Sequence, residues 1–157
     1  MATLCLTCGL PASGKTTVAK QIEARGALRL TADEWLWEIL PNGAREEHDA
    51  LRPAVERLQW QTATRALELG IDAVIDWGIW TREERDFYRD AARAAGVRVV
   101  LCVLDPPFQE VQRRLVLRNA DRPPGVFQIT TADMERGARF WQPPTPEELA
   151  LFDTDDA

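Results

Sequence analysis

The chain has a single histidine, His48, and only two lysines, Lys15 and Lys20, among its 157 residues. With one imidazole, histidine-based catalysis and histidine metal sites have almost nothing to work with. His48 lies in a polar stretch and is expected at the surface. Cysteine is scarce as well: Cys5, Cys8 and Cys102 fit a reducing compartment better than a disulfide-stapled fold. Cys5-x-x-Cys8 has redox or zinc spacing, but it falls in an apolar run that reads as a strand. Positions three apart on a strand point to opposite faces, and no second pair completes a metal site, so both are expected to pack in the interior. No apolar run reaches 18 residues and no charged-then-apolar leader precedes the first strand, which predicts a cytoplasmic protein without a membrane segment. Excess positive charge is missing too. Lys and Arg number 19 against 25 Asp and Glu, giving a net charge of −6 and a pI near 4.9. A field of that sign argues against a broad nucleic-acid-binding face, while leaving room for a local basic cleft. No repeat, low-complexity tract or linker interrupts the chain, so residues 1–157 are expected to form one domain, as a monomer or a homodimer.

What is present is a phosphate-binding signature. Gly9-Leu10-Pro11-Ala12-Ser13-Gly14-Lys15-Thr16-Thr17 fits G-x-x-x-x-G-K-S/T, with the apolar run Leu4–Cys8 before it and a helical pattern from Val18 to Ala24 after it. Strand, glycine turn and helix are the context such a loop requires. The glycines let backbone N–H groups face phosphates, and the helix N-terminus adds unpaired donors and partial positive charge. Lys15 supplies a point charge for the β- and γ-phosphates, and the Thr16 hydroxyl is a ligand for Mg²⁺. The loop from Gly9 to Thr17 is therefore read as the seat of a nucleoside triphosphate, ATP or GTP.

Further along, Ala27–Leu30, Ile71–Asp76 and Val97–Leu104 read as strands. Helices are expected after Thr31, from Pro53 to Gly70, from Thr81 to Ala95, around Val111–Arg118, over Thr131–Trp141 and over Glu147–Phe152. Residues 44–52 read as a loop or an exposed lead-in, with Pro53 in the first turn of the helix it opens. Strands alternating with helices predict an α/β fold, a parallel sheet covered on both faces, with ligands at the carboxyl ends of its strands. The acidic tail, residues 153–157, is expected to be loose.

Several side chains on that rim could do chemistry. Asp33 follows the second strand and is a candidate base for an alcohol acceptor, or alternatively a helix cap. Asp76 ends the third strand and could join Thr16 in a Mg²⁺ shell, as a Walker-B-type aspartate does, or be a solvated strand-end acid. Arg114, Arg118 and Arg122 lie on a helix running into a turn-rich segment. They suggest a cationic lid over residues 113–130, with Arg114 toward the nucleotide and Arg118 and Arg122 toward the transferring phosphoryl group; Arg113 reads as a solvated surface charge. Trp35 and Trp77 could wall an acceptor pocket or belong to the core. Arg82 and Arg85 could bind an anionic substrate or pair with Glu83, Glu84 and Asp86.

The ordered set Cys8–Thr17, Thr31-Ala32-Asp33-Glu34-Trp35, Val74-Ile75-Asp76-Trp77-Gly78, Arg114-x-x-x-Arg118-Asn119 and Arg122-Pro123-Pro124 resembles one family. This is the small P-loop kinase-like family often labelled AAA-type ATP-binding proteins, similar to the kinase domain of polynucleotide kinase, to zeta toxins and to chloramphenicol phosphotransferase. The resemblance runs from about Thr3 to Pro146. It implies an adenylate-kinase-like three-layer fold with strand order 2-3-1-4, ATP with Mg²⁺, and phosphoryl transfer to a hydroxyl. It also implies Asp33 as general base, Lys15 and Thr16 as phosphate and metal groups, and Arg118 or Arg122 as lid arginine. One departure stands out: from Pro143 onward there is no β-branched run for the family's usual last strand, which predicts a sheet of four strands unless another segment supplies a fifth. The leading expectation is a kinase acting on a small-molecule hydroxyl. A nucleoside or polynucleotide 5′-hydroxyl kinase, and a nucleotide-binding switch or NTPase without an acceptor, are the alternatives.

Overall fold

A computed structural model describes residues 1–122 and 127–155. Four strands form one all-parallel sheet in the order β2-β3-β1-β4. They are β1 (Thr3–Cys8), β2 (Leu28–Leu30), β3 (Ala73–Ile75) and β4 (Arg98–Val103). Central β1 pairs Leu4 with Ala73 and Leu6 with Ile75 on one side, and runs from Thr3↔Arg98 to Cys8↔Val103 on the other. Seven helices connect and flank the strands among the described residues: α1 (Lys15–Ala24), α2 (Ala32–Ile39), α3 (Arg45–Glu68), α4 (Arg82–Ala94), α5 (Phe108–Ala120), α6 (Thr131–Phe140) and α7 (Pro146–Leu149).

The period-2 alternation of β1 separates two cores. Leu4, Leu6 and Cys8 pack with Leu36 of α2, Val55, Ala63 and Leu67 of α3 and Ala92 of α4, whereas Cys5 joins Ala19 and Ile22 of α1 on the opposite face. This is the expected three-layer α/β arrangement. The cysteines are free, and burial pushes the Cys5 and Cys8 thiols up to about 12, so they are inert packing groups.

Three expectations fail. Residues 45–52 are helical, so α3 is 24 residues long and Pro53 lies inside it rather than in its first turn. Proline removes one helical bond, but the buried stripe His48, Val55, Gln59, Ala63, Ala66 and Leu67 holds the helix on both sides of it. His48 accordingly sits in the interior: its Nε2 lies 2.7 Å from the Leu40 carbonyl, and its ring packs edge-on against Trp37 and Phe127. The tail is not loose at its start, because Asp153 bridges in parallel to Val100. Its N–H donates to the Val99 carbonyl at 2.8 Å, and its carboxylate accepts from the Val99 N–H at 2.7 Å. One bridging residue thus stands at the β4 edge, where a fifth strand was missing from the sequence. Asp156 and Ala157 of the expected tail, and Pro123, Pro124 and Gly125 of the expected lid, lie outside the described residues.

Candidate active site

The carboxyl ends of all four strands meet at one rim, and each carries a loop with candidate chemistry. After β1 the chain enters the glycine loop, where Gly9 and Gly14 take φ of 151° and 105° and Ala12 takes 61°. At Gly9 a Cβ would stand 2.2 Å from the Leu104 carbonyl oxygen and 2.7 Å from Ser13 Oγ. Only glycine lets β1 and the end of β4 approach so closely at the loop's entrance. The Thr17 and Val18 N–H groups already bond to the Gly14 carbonyl as α1 begins.

Lys15 folds back over its own loop. Its ammonium donates to the Leu10 carbonyl at 2.6 Å, to Gly9 at 2.9 Å and to Ser13 Oγ at 3.5 Å. Three acceptors converge on a cation of the size a phosphate oxygen would also seek. Burial lowers the Lys15 pKa to about 8; Asp76 and Asp33 oppose that shift, and the charge of Arg118 adds to it. Asp33 and Arg118 therefore both lie within electrostatic reach of the loop.

Asp76 follows β3 and is buried. Its Oδ1 lies 3.4 Å from the Thr16 hydroxyl, and its Oδ2 accepts from the Thr31 hydroxyl at 3.2 Å. Burial pushes its carboxyl up, while these two hydroxyls, Arg29 and Lys15 hold it down. Arg29 was not foreseen, since an arginine inside a short strand carries no sequence signal. It spends its whole fork here: Nε on Glu23 at 2.8 Å, Nη2 on Glu34 at 2.8 and 3.0 Å, and Nη1 on Thr31 and 3.6 Å from Asp76. One hydroxyl and one carboxylate beside the glycine loop suit Mg²⁺, which keeps waters and takes few protein ligands. No cluster of three His, Cys, Asp or Glu side chains among the described residues would make an all-protein metal cage.

Asp33 stands in the first turn of α2, exposed, and is ion-paired with Arg52 of α3. Arg114 of α5 donates to the Ser13 carbonyl at 2.9 Å and to Glu110 at 2.6 Å, so it meets the loop from the β4 side. Together with Ser13, Thr17, Val103, Asp105 and Pro106 it lines a groove of about 440 Å³ beside the start of α1. Arg118 is half-buried and Arg122 exposed just past α5; neither is held in an ion pair among the described residues. Arg113 pairs with Glu110 at the surface, as expected.

Two acceptor assignments do not survive. Arg85 is fully buried, with a two-pronged bond to Glu148 at 2.5 and 3.0 Å and further bonds to the carbonyls of Trp80 and Gln142. It cannot reach a substrate, because every face of the guanidinium is taken. Trp77 is buried in the core and donates its indole N–H to Gln59 Oε1 at 2.7 Å. Trp35 is half-buried and packs on the same core, and Arg82 is exposed, 3.4 Å from Asp86. The tryptophan that does meet the loop is Trp80, whose indole donates to the Gly9 carbonyl at 3.1 Å. α6 crosses the same place at Gly137, where a Cβ would stand 3.1 Å from Leu10 and 3.7 Å from Trp80. A glycine inside a helix pattern is the signal for such an approach, and it was there to be read.

A parallel sheet in the order 2-3-1-4, with this loop leading from its central strand into α1, defines a P-loop kinase-like fold. The chain belongs to the AAA domain family, whose profile matches residues 4–144. No curated protein matches it. Among solved structures, it is similar to a candidate kinase from Chloroflexus aurantiacus J-10-fl, at 20% identity and TM-score 0.69, over 92% of this chain and 83% of that one. A sugar kinase from Janibacter sp. HTCC2649 is 18% identical with TM-score 0.63, over 94% and 82%. Kti12 of Chaetomium thermophilum, solved in complex with ADP-AlF3, is 19% identical with TM-score 0.62, over 92% and 82%. At these identities the likeness is one of fold.

Proposed function

We propose that the protein is an ATP- and Mg²⁺-dependent phosphotransferase that moves the γ-phosphoryl group to a hydroxyl of a small-molecule acceptor. The observation that carries the reading is that Lys15, Thr16, Asp76 and Asp33 follow the carboxyl ends of three neighbouring parallel strands, with the Asp76 carboxylate against the hydroxyls of Thr16 and Thr31. Two of the fold relatives bear kinase names and a third was solved with a nucleotide complex, which agrees with that use of the fold.

In this reading Lys15 exchanges its loop carbonyls for phosphate oxygens, and the N–H groups at the start of α1 face the same anion. Thr16 and Asp76 would hold Mg²⁺, which would supply charge neutralisation when bound. Asp33 accepts the acceptor's hydroxyl proton as that oxygen bonds to the γ-phosphorus and the bond to ADP breaks. Arg118 stabilises charge on the transferring group. The groove beside Arg114 receives the base, with the flat guanidinium as one wall. Nucleic-acid acceptors are disfavoured by the net charge of −6.

An ADP-release screen over hydroxyl acceptors tests the assignment. Acceptor-dependent ADP release should fall by orders of magnitude in both Lys15→Ala and Asp33→Ala. If Asp33→Ala turned over ATP like the parent and no acceptor raised the rate, the protein would be an NTPase or nucleotide switch instead.

A further inference from the structure

Arg52 does not serve Asp33 alone. Its other terminal nitrogen lies 3.6 Å from Glu56, one turn further along α3, so one guanidinium bridges two carboxylates from two helices. The Arg52 and Glu56 side chains are about two-thirds covered, at 36% and 31% exposure. Burial pushes the Glu56 carboxyl up, Arg52 opposes this, and the charges of Glu84 and Asp33 add to it. Asp49 also acts on Arg52. Asp33 and Glu56 thus share the Arg52 guanidinium. What gives this group meaning is its position: Asp33 opens α2 two residues past Thr31, whose hydroxyl is bonded to Asp76 beside Thr16, so the bridge stands on the rim from which a hydroxyl acceptor would approach the loop.

Resting on the phosphotransferase reading, we infer that Arg52 and Glu56 are the acceptor-recognition pair, and that the acceptor is an uncharged polyhydroxyl compound of the sugar or cyclitol class. A hydroxyl both donates and accepts, so neighbouring hydroxyls can give protons to the Glu56 and Asp33 carboxylates while accepting from the Arg52 N–H groups. A guanidinium beside a carboxylate presents that alternation in one plane. A phosphate-bearing acceptor finds the opposite. Arg52 is already paired with two carboxylates, and those carboxylates repel an incoming anion.

The test is ADP release by the wild-type chain with neutral aldoses and inositol, with their monophosphates, and with a 5′-hydroxyl oligonucleotide. Binding of a fluorescent ATP analogue is measured in parallel. Transfer to a neutral member is expected, with kcat/KM at least tenfold above that for its monophosphate. Glu56→Gln should raise the acceptor KM about tenfold or more and leave the ATP analogue's Kd in place. Arg52→Lys, which keeps charge without the fork, should retain more of the acceptor affinity than Arg52→Gln. Melting curves establish that each variant is folded; if Glu56→Gln is not, the Arg52 pair and the wild-type panel decide. Preferred transfer to a monophosphate or to the oligonucleotide, or an unchanged acceptor KM in Glu56→Gln, overturns the inference. So does normal nucleotide binding without transfer to any neutral compound, whereas failure to bind the ATP analogue overturns the phosphotransferase reading itself.

Discussion

Replacing Glu148 by glutamine should be among the most damaging single changes in the chain, although it lies in a four-residue helix near the C-terminus. The Arg85 side chain is 0% exposed and that of Glu148 2%, so neither charge has water to fall back on. Removing one partner of such a pair leaves an uncompensated buried charge and costs about 3–5 kcal/mol. Against a total stability of about 5–15 kcal/mol, that is a large share. For a chain of this size each kcal/mol moves Tm by about 2–4 °C, so the expected fall is about 6–20 °C. Urea unfolding followed by tryptophan fluorescence gives the free energy directly. The double variant Arg85→Met with Glu148→Leu should recover most of the loss, because apolar groups of similar volume require no partner. The effect should extend to the site: Arg85 holds the Trp80 carbonyl at 3.1 Å, and Trp80 holds Gly9. Nucleotide affinity should therefore weaken severalfold in Glu148→Gln even well below its melting point. A cost under about 1 kcal/mol would refute the reasoning, since that is the worth of an exposed ion pair.

Two further outcomes follow from the loop. Gly9→Ala should cost about 3 kcal/mol and abolish nucleotide binding, given a φ of 151° and a Leu104 oxygen 2.2 Å from the added carbon. Gly26→Ala, also at positive φ (104°) but with nothing within 4 Å, should cost only about 1 kcal/mol, and thermal melts of the two compare them. Lys15 carries a pKa lowered to about 8 in the folded chain, so between pH 8 and 10.5 the unfolded chain binds more protons. Stability of the nucleotide-free protein should rise with pH across that window through this group. Phosphate oxygens favour the charged ammonium, so nucleotide binding near pH 9 should take up a proton. Calorimetry in two buffers of different ionisation enthalpy reads that uptake, and identical heats would contradict it.

Local patterns carried far where the chain's own neighbours decide the outcome. Gly9–Thr17 made a turn and a helix start, because glycine positions and helix-terminal donors act over a few residues. The four strands and their order followed from alternation with helices and from the family resemblance. Asp33 and Asp76 could be placed at strand ends for the same reason. The pattern failed where burial was decided from afar. Pro53 reads as a start signal, and only the packing of α3 over the sheet makes it an interior residue. His48 lies in a polar stretch, yet it is covered by Trp37 and Phe127 from other parts of the chain.

By itself, then, the sequence determined that a phosphate-binding loop leads from a central strand of a parallel α/β sheet, and which acids stand on its rim. The tertiary structure alone decided which charged and aromatic groups face that rim. Arg85, four residues beyond the Thr81 cap, could have been a substrate arm or a partner of nearby acids, but Glu148, 63 positions away, claims its guanidinium in the core. Arg52 and Arg29 drew no reading from the sequence, yet the fold pairs them with Asp33 and Asp76. Trp80 rather than Trp77 meets the loop, because neighbouring residues leaving a strand end point different ways and only the packed neighbours choose between them. A side chain's partner is a long-range property, and composition and spacing along the chain do not contain it.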